Sequence, residues 1–402
     1  MHSIPSSTQL LSKQQKGEAG DYQRFWVKRI EQLGDCPTPF LLSDISIAGR
    51  QIHLFRSLLS RISLFYAIKA NPSPMIISSI DHLIDGYDVA SVAEIELLLG
   101  LGMDSSRISY NNPVKSRESI TRAAELGVKR FVFQSREEAE KIAQCAIGAE
   151  VLVRVKMQDS KDAQSFSSKF GCPPEDAAQL LKYAKKIGLK PLGVTFHVGS
   201  QATELQAWRN AINKAQLIVT EVRKSGVDIR IINMGGGIPV QYSNDDPSLY
   251  ELAKVINDAI DEGPSDIDYI AEPGRFLTAD SSVIVTTVIG REDRDGVPWL
   301  YLDIGIFQAF MEVFEFGRFF YPVFSLRHAK NASGRAAQKS FVLTGPTCDS
   351  CDTMAKGVLL PSDIREGDKL VVCKSGAYTT VYGSNFNGFE IPRVKVVGVV
   401  DV

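Results

Sequence analysis

Residues 64–72, LFYAIKANP, set the pattern from which the fold is read: a short apolar run, one charged residue at its end, then a turn. β-rich runs of this kind recur at 64–68, 86–90, 107–110, 130–133, 151–156, 193–198, 228–234 and 268–272. Longer stretches of helical composition and amphipathic period lie between them, among them 92–101, 116–126, 136–146 and 204–224. Eight strands alternating with helices suit a (β/α)8 barrel of the TIM type better than an open sheet. In such a barrel the functional groups sit at the C-terminal ends of the strands. That rule singles out Lys69, Asp88, Tyr110, Gln134, Arg154, His197, Gly235 and Glu272.

After Arg275 the texture changes. SSVIVTTVIGRE, WLYLDIGIF, KSFVLTGPTC and RVKVVGVVDV are short β-type runs without comparable helices between them. They predict a C-terminal all-β domain, a sandwich or small barrel, into which the early segment TPFLL (38–42) pairs. The expected division is a barrel over 41–280 and a β domain over 1–40 and 281–402, within a chain of 402 residues. The composition, 44% hydrophobic and 23% charged, is that of a globular protein and excludes wholesale disorder. Lys+Arg 45 against Asp+Glu 47 leaves −2, far from the basic balance that favours nucleic acid. No apolar run approaches the roughly 18 residues that span a bilayer, and the N-terminus lacks the apolar core of a signal peptide. A soluble cytoplasmic protein without nucleic-acid or membrane partners is the expectation. Six cysteines in so long a chain do not read as a disulfide framework.

Several strand-end motifs carry chemistry. Lys69 ends an apolar strand; at a barrel mouth among buried groups, desolvation lowers an amine pKa and suits a Schiff-base lysine, although a solvated strand-end lysine looks the same. His197, in TFHVGSQ, is either a satisfied structural histidine or a flat ring covering one face of a planar cofactor, with Ser200 able to donate to an anion. Gly235, Gly236 and Gly237 form a plain turn or a loop whose N–H groups turn toward a phosphate. They do not spell the dinucleotide GxGxxG pattern. Glu272-Pro-Gly-Arg275 is a turn, or a carboxylate for a protonated ring nitrogen with a second charge for phosphate. Cys348 and Cys351 form a CxxC without a second pair or histidines of zinc spacing, so no metal site is expected. Ser160–Ser168 reads as a mobile polar loop.

Taken together, YAIKAN, YDVAS, HVGSQ, GGGIP, EPGRF, GPTCDSCD and GAYTTVYGSNFNGF resemble one family. It is the alanine-racemase-fold (fold type III), pyridoxal-phosphate-dependent basic amino acid decarboxylases, and within them the ornithine enzymes. The resemblance implies that Lys69 binds pyridoxal 5'-phosphate as a Schiff base, that His197 stacks on its ring and that Glu272 holds the ring nitrogen protonated. It implies a phosphate cradle of Ser200, Gly235, Gly236, Gly237, Gly274, Arg275 and Tyr378, with Asp88 and Arg154 near the ring. It further implies a homodimer whose sites are shared, Cys348 and Asp349 reaching the site of the other subunit. There Cys348 supplies a proton to the substrate carbon, Phe386 lines the pocket and Lys169 sits on the mobile loop.

The same resemblance places two carboxylates around the distal ammonium of the substrate. Asp349 matches one; Glu315, twelve residues past Asp303, matches the other where an aspartate is usual. Ornithine, with lysine beside it, is therefore the expected substrate. A shorter or modified diamino acid, such as 2,4-diaminobutyrate, is the alternative that the longer glutamate raises. Diaminopimelate remains a rival because of Arg318 and Arg327, and a non-catalytic regulator of the antizyme-inhibitor kind is the rival from another class.

Overall fold

A computed structural model describes residues 13–157, 169–330 and 336–400, which fall into two compact units, residues 45–279 and residues 13–44 with 280–398. Strand β1 (Phe40–Asp44) belongs to the second unit, although the expected boundary puts most of it in the barrel. The first unit is a closed barrel of eight parallel strands. They are β2 (Ile62–Ala67), β3 (Gly86–Val89), β4 (Ile108–Tyr110), β5 (Arg130–Phe133), β6 (Glu150–Arg154), β7 (Lys190–Thr195), β8 (Ile231–Asn233) and β9 (Asp268–Ala271). Pairing of Ile62 with Tyr269 and of Leu64 with Ala271 closes the ring.

The runs form strands because they are rich in β-branched and aromatic residues and are buried on both faces, as parallel sheets require. Tyr66, Tyr87, Phe131, Phe133 and Phe196 are among the largest fully buried side chains. Helices follow the strands, and serine caps mark their starts. The Ser91, Ser116 and Ser135 side chains accept from the third residue of their helices, and Ser248 forms a reciprocal capping box with Glu251. Five strands are shorter than their sequence runs, most of all β8, where the run 228–234 pairs only at Ile231–Asn233; before β4, residue 107 belongs to a 3-10 turn.

The second unit is the expected β domain, a mixed sheet of eight strands with short helices beside it. Its spine is β10 (Ser282–Arg294), flanked by β11 (Val297–Leu302), β12 (Val323–Ser325), β13 (Gln338–Thr344), β14 (Thr353–Pro361), β15 (Lys369–Val372) and β16 (Arg393–Val397). β1 lies antiparallel to β10 and parallel to β16. The helix Lys13–Gln32 brings Trp26 into this unit fully buried. No helix among the described residues is long and apolar enough to cross a membrane. All six cysteines are free.

Candidate active site

The C-terminal mouth of the barrel gathers most of the strand-end residues. Lys69 does not end β2 itself but sits in the 3-10 turn Ile68–Ala70 directly after it. Its ammonium is ion-paired with the Asp88 carboxylate. The lysine side chain is 45% exposed and the aspartate 3%, so the amine stands accessible above a buried anion. Glu94, whose carboxyl accepts from the Ala90 N–H at 2.5 Å, adds a carboxyl held above its usual range by burial.

Glu272, 6% exposed, directly follows β9, the strand that pairs with β2 to close the ring. Its Oε1 accepts from the carboxamides of Asn111 and Asn233. Burial, reinforced by the charge of Asp88, pushes the Glu272 carboxyl up to about 7; the Asn233 bond and the cations Lys69 and Arg154 pull it back only in part. It is thus a carboxyl that can hold a proton near neutrality. Arg154 closes β6 half-buried, its charge reaching both Glu272 and His197.

His197, just beyond β7, is neutral. Burial first, then the charges of Arg154 and Lys69, holds its imidazole well below 6.5. The Gly199 N–H donates to Nδ1 at 2.9 Å, which leaves the ring proton on Nε2. The triple glycine wraps this ring. A Cβ at Gly237 (φ +100°) would lie 2.3 Å from Gly199 O and 3.3 Å from His197 Cε1, and one at Gly236 would lie 2.8 Å from Glu272 O. The glycines thus allow close approach to the imidazole as well as a turn. The Gly235 N–H donates to Asn233 Oδ1 at 2.9 Å.

Arg275 opens the short helix Arg275–Thr278 and is 5% exposed. It donates to Ser200 Oγ at 3.3 Å and to the Tyr242 hydroxyl at 3.4 Å, building a hydroxyl-and-guanidinium corner suited to an anion. Gly274 lets this turn pack on the Lys69 turn, since a Cβ there would meet Ala70 Cβ at 2.6 Å.

The second unit presents the remaining predicted residues. Cys348 is exposed, with Sγ 3.5 Å from Asn387 Oδ1. Asp349 Oδ1 accepts from the Cys351 N–H at 2.8 Å, and its carboxylate raises the Cys351 thiol, so Asp349 addresses Cys351. The buried Asp352 holds the loop. Its carboxylate accepts from Ile306 N at 2.7 Å and from Thr347 Oγ1 at 2.8 Å, and it lies against Gly305 and Gly345. Phe386 packs tilted against Phe307, ring centroids 4.7 Å apart. Tyr378 adopts a positive φ of 55° and packs at 5.8 Å on Tyr382. On the helix Glu312–Phe316, Glu315 faces outward, while Glu312 is buried and accepts from the Tyr321 hydroxyl at 3.0 Å. Lys169 is exposed beside the Phe170 ring; the loop 160–168 lies outside the described residues.

The donor set at the barrel mouth fits pyridoxal phosphate: an accessible amine for its aldehyde, a flat neutral imidazole for its ring, a proton-holding carboxyl for its nitrogen and an arginine corner for its phosphate. Among the described residues no group of three or more His, Cys, Asp or Glu gathers as for a metal. Sequence reasoning missed Asn111, Asn233, Tyr242 and Asp352. Asn111 immediately follows Tyr110, the residue that the strand-end rule selected.

Comparison with known proteins agrees with this chemistry. Residues 46–279 match the family model of the pyridoxal-dependent decarboxylases, pyridoxal binding domain. The chain is 35% identical over 356 residues to a lysine/ornithine decarboxylase of Selenomonas ruminantium, covering 88% of each. It is 33% identical over 369 residues to antizyme inhibitor 2 of Xenopus laevis, covering 87% of this chain and 79% of that protein. A solved structure of SrLDC in complex with PLP and cadaverine superposes with a TM-score of 0.82 at 33% identity, over 96% of this chain and 94% of that one.

Proposed function

The chain belongs to the pyridoxal-phosphate-dependent basic amino acid decarboxylases of fold type III, and from that premise we propose that it converts L-ornithine to putrescine, with L-lysine as a second substrate. The observation that carries the reading is the convergence of Lys69, Asp88, His197 and Glu272 on one mouth of the barrel. When bound, pyridoxal phosphate supplies the electron sink that accepts the pair left on the substrate Cα as CO2 departs. Glu272 is suited to keep a proton at the ring nitrogen because a buried carboxylate there would pair with the pyridinium charge. His197 is suited to cover the ring because its neutral imidazole adds no charge to that face. Arg275, with Ser200, would hold the phosphate, and Asp88 would orient the Lys69 amine.

For the substrate, two features favour a distal ammonium. Asp349 offers a carboxylate on the Cys348 loop. Arg327, which a distal carboxylate would need, is already occupied by Asp368 at 2.8 Å and Asp363 at 3.0 Å. We assign Cys348 the proton donated to Cα in the site of a second copy of the chain. Exposed Tyr382, Phe386, Phe389 and Ile391, 37–41% accessible around Asn387, support a subunit contact there.

Amine product analysis over lysine, ornithine, 2,4-diaminobutyrate, arginine and diaminopimelate tests the reading. Putrescine from ornithine is the expected result. Amine from diaminobutyrate alone would move the assignment to the shorter substrate. A colourless protein that takes up no pyridoxal phosphate would place the chain with non-catalytic regulators.

A further inference from the structure

Glu272 is held by two uncharged donors from opposite sides of the barrel. Asn233 ends β8, the neighbour of β9; Asn111 follows β4, four strands further round the ring. Both carboxamide nitrogens donate to the same oxygen, Oε1. The orientation of Asn233 is fixed from its far end. The Gly235 N–H can only donate and lies 2.9 Å from Asn233 Oδ1, so the amide's NH2 has to face Glu272. Ser109, itself buried, lies with Oγ 2.6 Å from Asn111 Oδ1 and fixes that amide in the same sense.

The loop presenting Asn111 is braced from below. Lys115, a buried lysine, donates to Asn112 O at 2.8 Å and Val132 O at 2.6 Å, and pairs with Glu138 at 2.9 Å. Asn111 therefore projects from an anchored loop. The charged groups facing Glu272 are Asp88 from β3, Lys69 from the turn after β2 and Arg154 from β6. With two N–H groups on Oε1, any proton on the carboxyl resides on Oε2.

We propose that Asn111 and Asn233 are positioning residues that engage Glu272 Oε1 so that Oε2 alone meets the ring nitrogen of pyridoxal phosphate. The proposal rests on the reading of Glu272 as the partner of that nitrogen. It explains why a loop on the far side of the barrel carries an amide aimed across the mouth.

A double-mutant cycle tests it, with apoprotein titrated by pyridoxal phosphate and the visible band followed against pH. Asn111→Ala in the wild-type background is expected to weaken cofactor binding roughly ten-fold, as for a lost hydrogen bond to a charged group, and to shift the pH at which the band changes. In the Glu272→Ala background the same substitution is expected to change neither. Equal losses in both backgrounds would mean that Asn111 only supports the barrel, and would overturn the proposal. Asn111→Ser, too short to reach Oε1, is read the same way should the alanine variant fail to fold. Wild-type binding by Glu272→Ala itself would instead remove the assignment of Glu272 on which the proposal stands.

Discussion

The Lys69 ammonium rests against the Asp88 carboxylate, a half-exposed cation on a buried anion. Asp88 also contributes, after burial, to holding the Glu272 carboxyl up at about 7. Asp88→Asn is therefore expected to lower the pH at which Glu272 titrates. A pH titration of the carboxyl carbons of labelled glutamate, in the apoprotein, reads this. An unmoved Glu272 would show that burial acts alone. Lys69→Ala is expected to abolish the borohydride-sensitive visible band altogether.

The raised Glu272 carboxyl also sets a pH dependence of stability. Between the unfolded value of 4.5 and about 7, the folded apoprotein keeps a proton that the unfolded chain has released. This contribution is fully favourable below 4.5, and apoprotein stability declines as pH rises toward 7, by roughly 3 kcal/mol at most. Chemical denaturation across this range should show the slope in wild type and not in Glu272→Gln. The same slope in both proteins would assign it to other groups.

Gly237→Ala should disturb His197 through the backbone. The new methyl would sit 2.3 Å from Gly199 O at a φ of +100°, so either the Gly199 turn or the glycine loop has to move. We expect a stability loss of about 1–3 kcal/mol and weakened pyridoxal phosphate binding, measured by melting and by titration. Unchanged binding would show that the loop does not position the imidazole.

Lys115→Met removes the cation from a buried pair with Glu138, whose side chains are 0% and 4% exposed. Glu138 keeps a second partner, Lys141, at 2.5 Å, so the cost should fall at the lower end of about 3–5 kcal/mol. Equilibrium denaturation measures it, and the double variant with Glu138→Leu should recover part of the loss.

Asp352→Ala should leave cofactor binding at the barrel intact while lowering turnover at least ten-fold, because the Cys348 loop loses its anchor on Ile306 and Thr347. Paired measurements of the visible band and of the amine product separate the two effects. A parallel loss of both would mean that the loop is not the target.

The barrel was legible in the sequence because its strands are apolar on both faces and their ends carry the chemistry. Lys69, His197 and Glu272 could be named from position alone. What local pattern cannot show is which strand ends meet across the ring. Asn111 and Asn233 read as ordinary turn and strand residues until the closed barrel brings both to Glu272. The exposure of Lys69 was hidden for a similar reason: its strand stops two residues early, at Ala67. In the second unit, counting from Asp303 pointed to Glu315. Three residues earlier, Glu312 is the buried one, because Tyr321 folds back to donate to it.

The buried carboxylate of Asp352 binds the turn before the Phe307–Phe316 segment to the turn that bears Cys348 and Asp349. A substitution that shifts the Phe307–Phe316 segment therefore pulls on Asp352. Because both turns hang from one side chain, such a shift would carry the Cys348 thiol with it. Tolerated changes here should come in pairs, one on each turn, rather than as single substitutions.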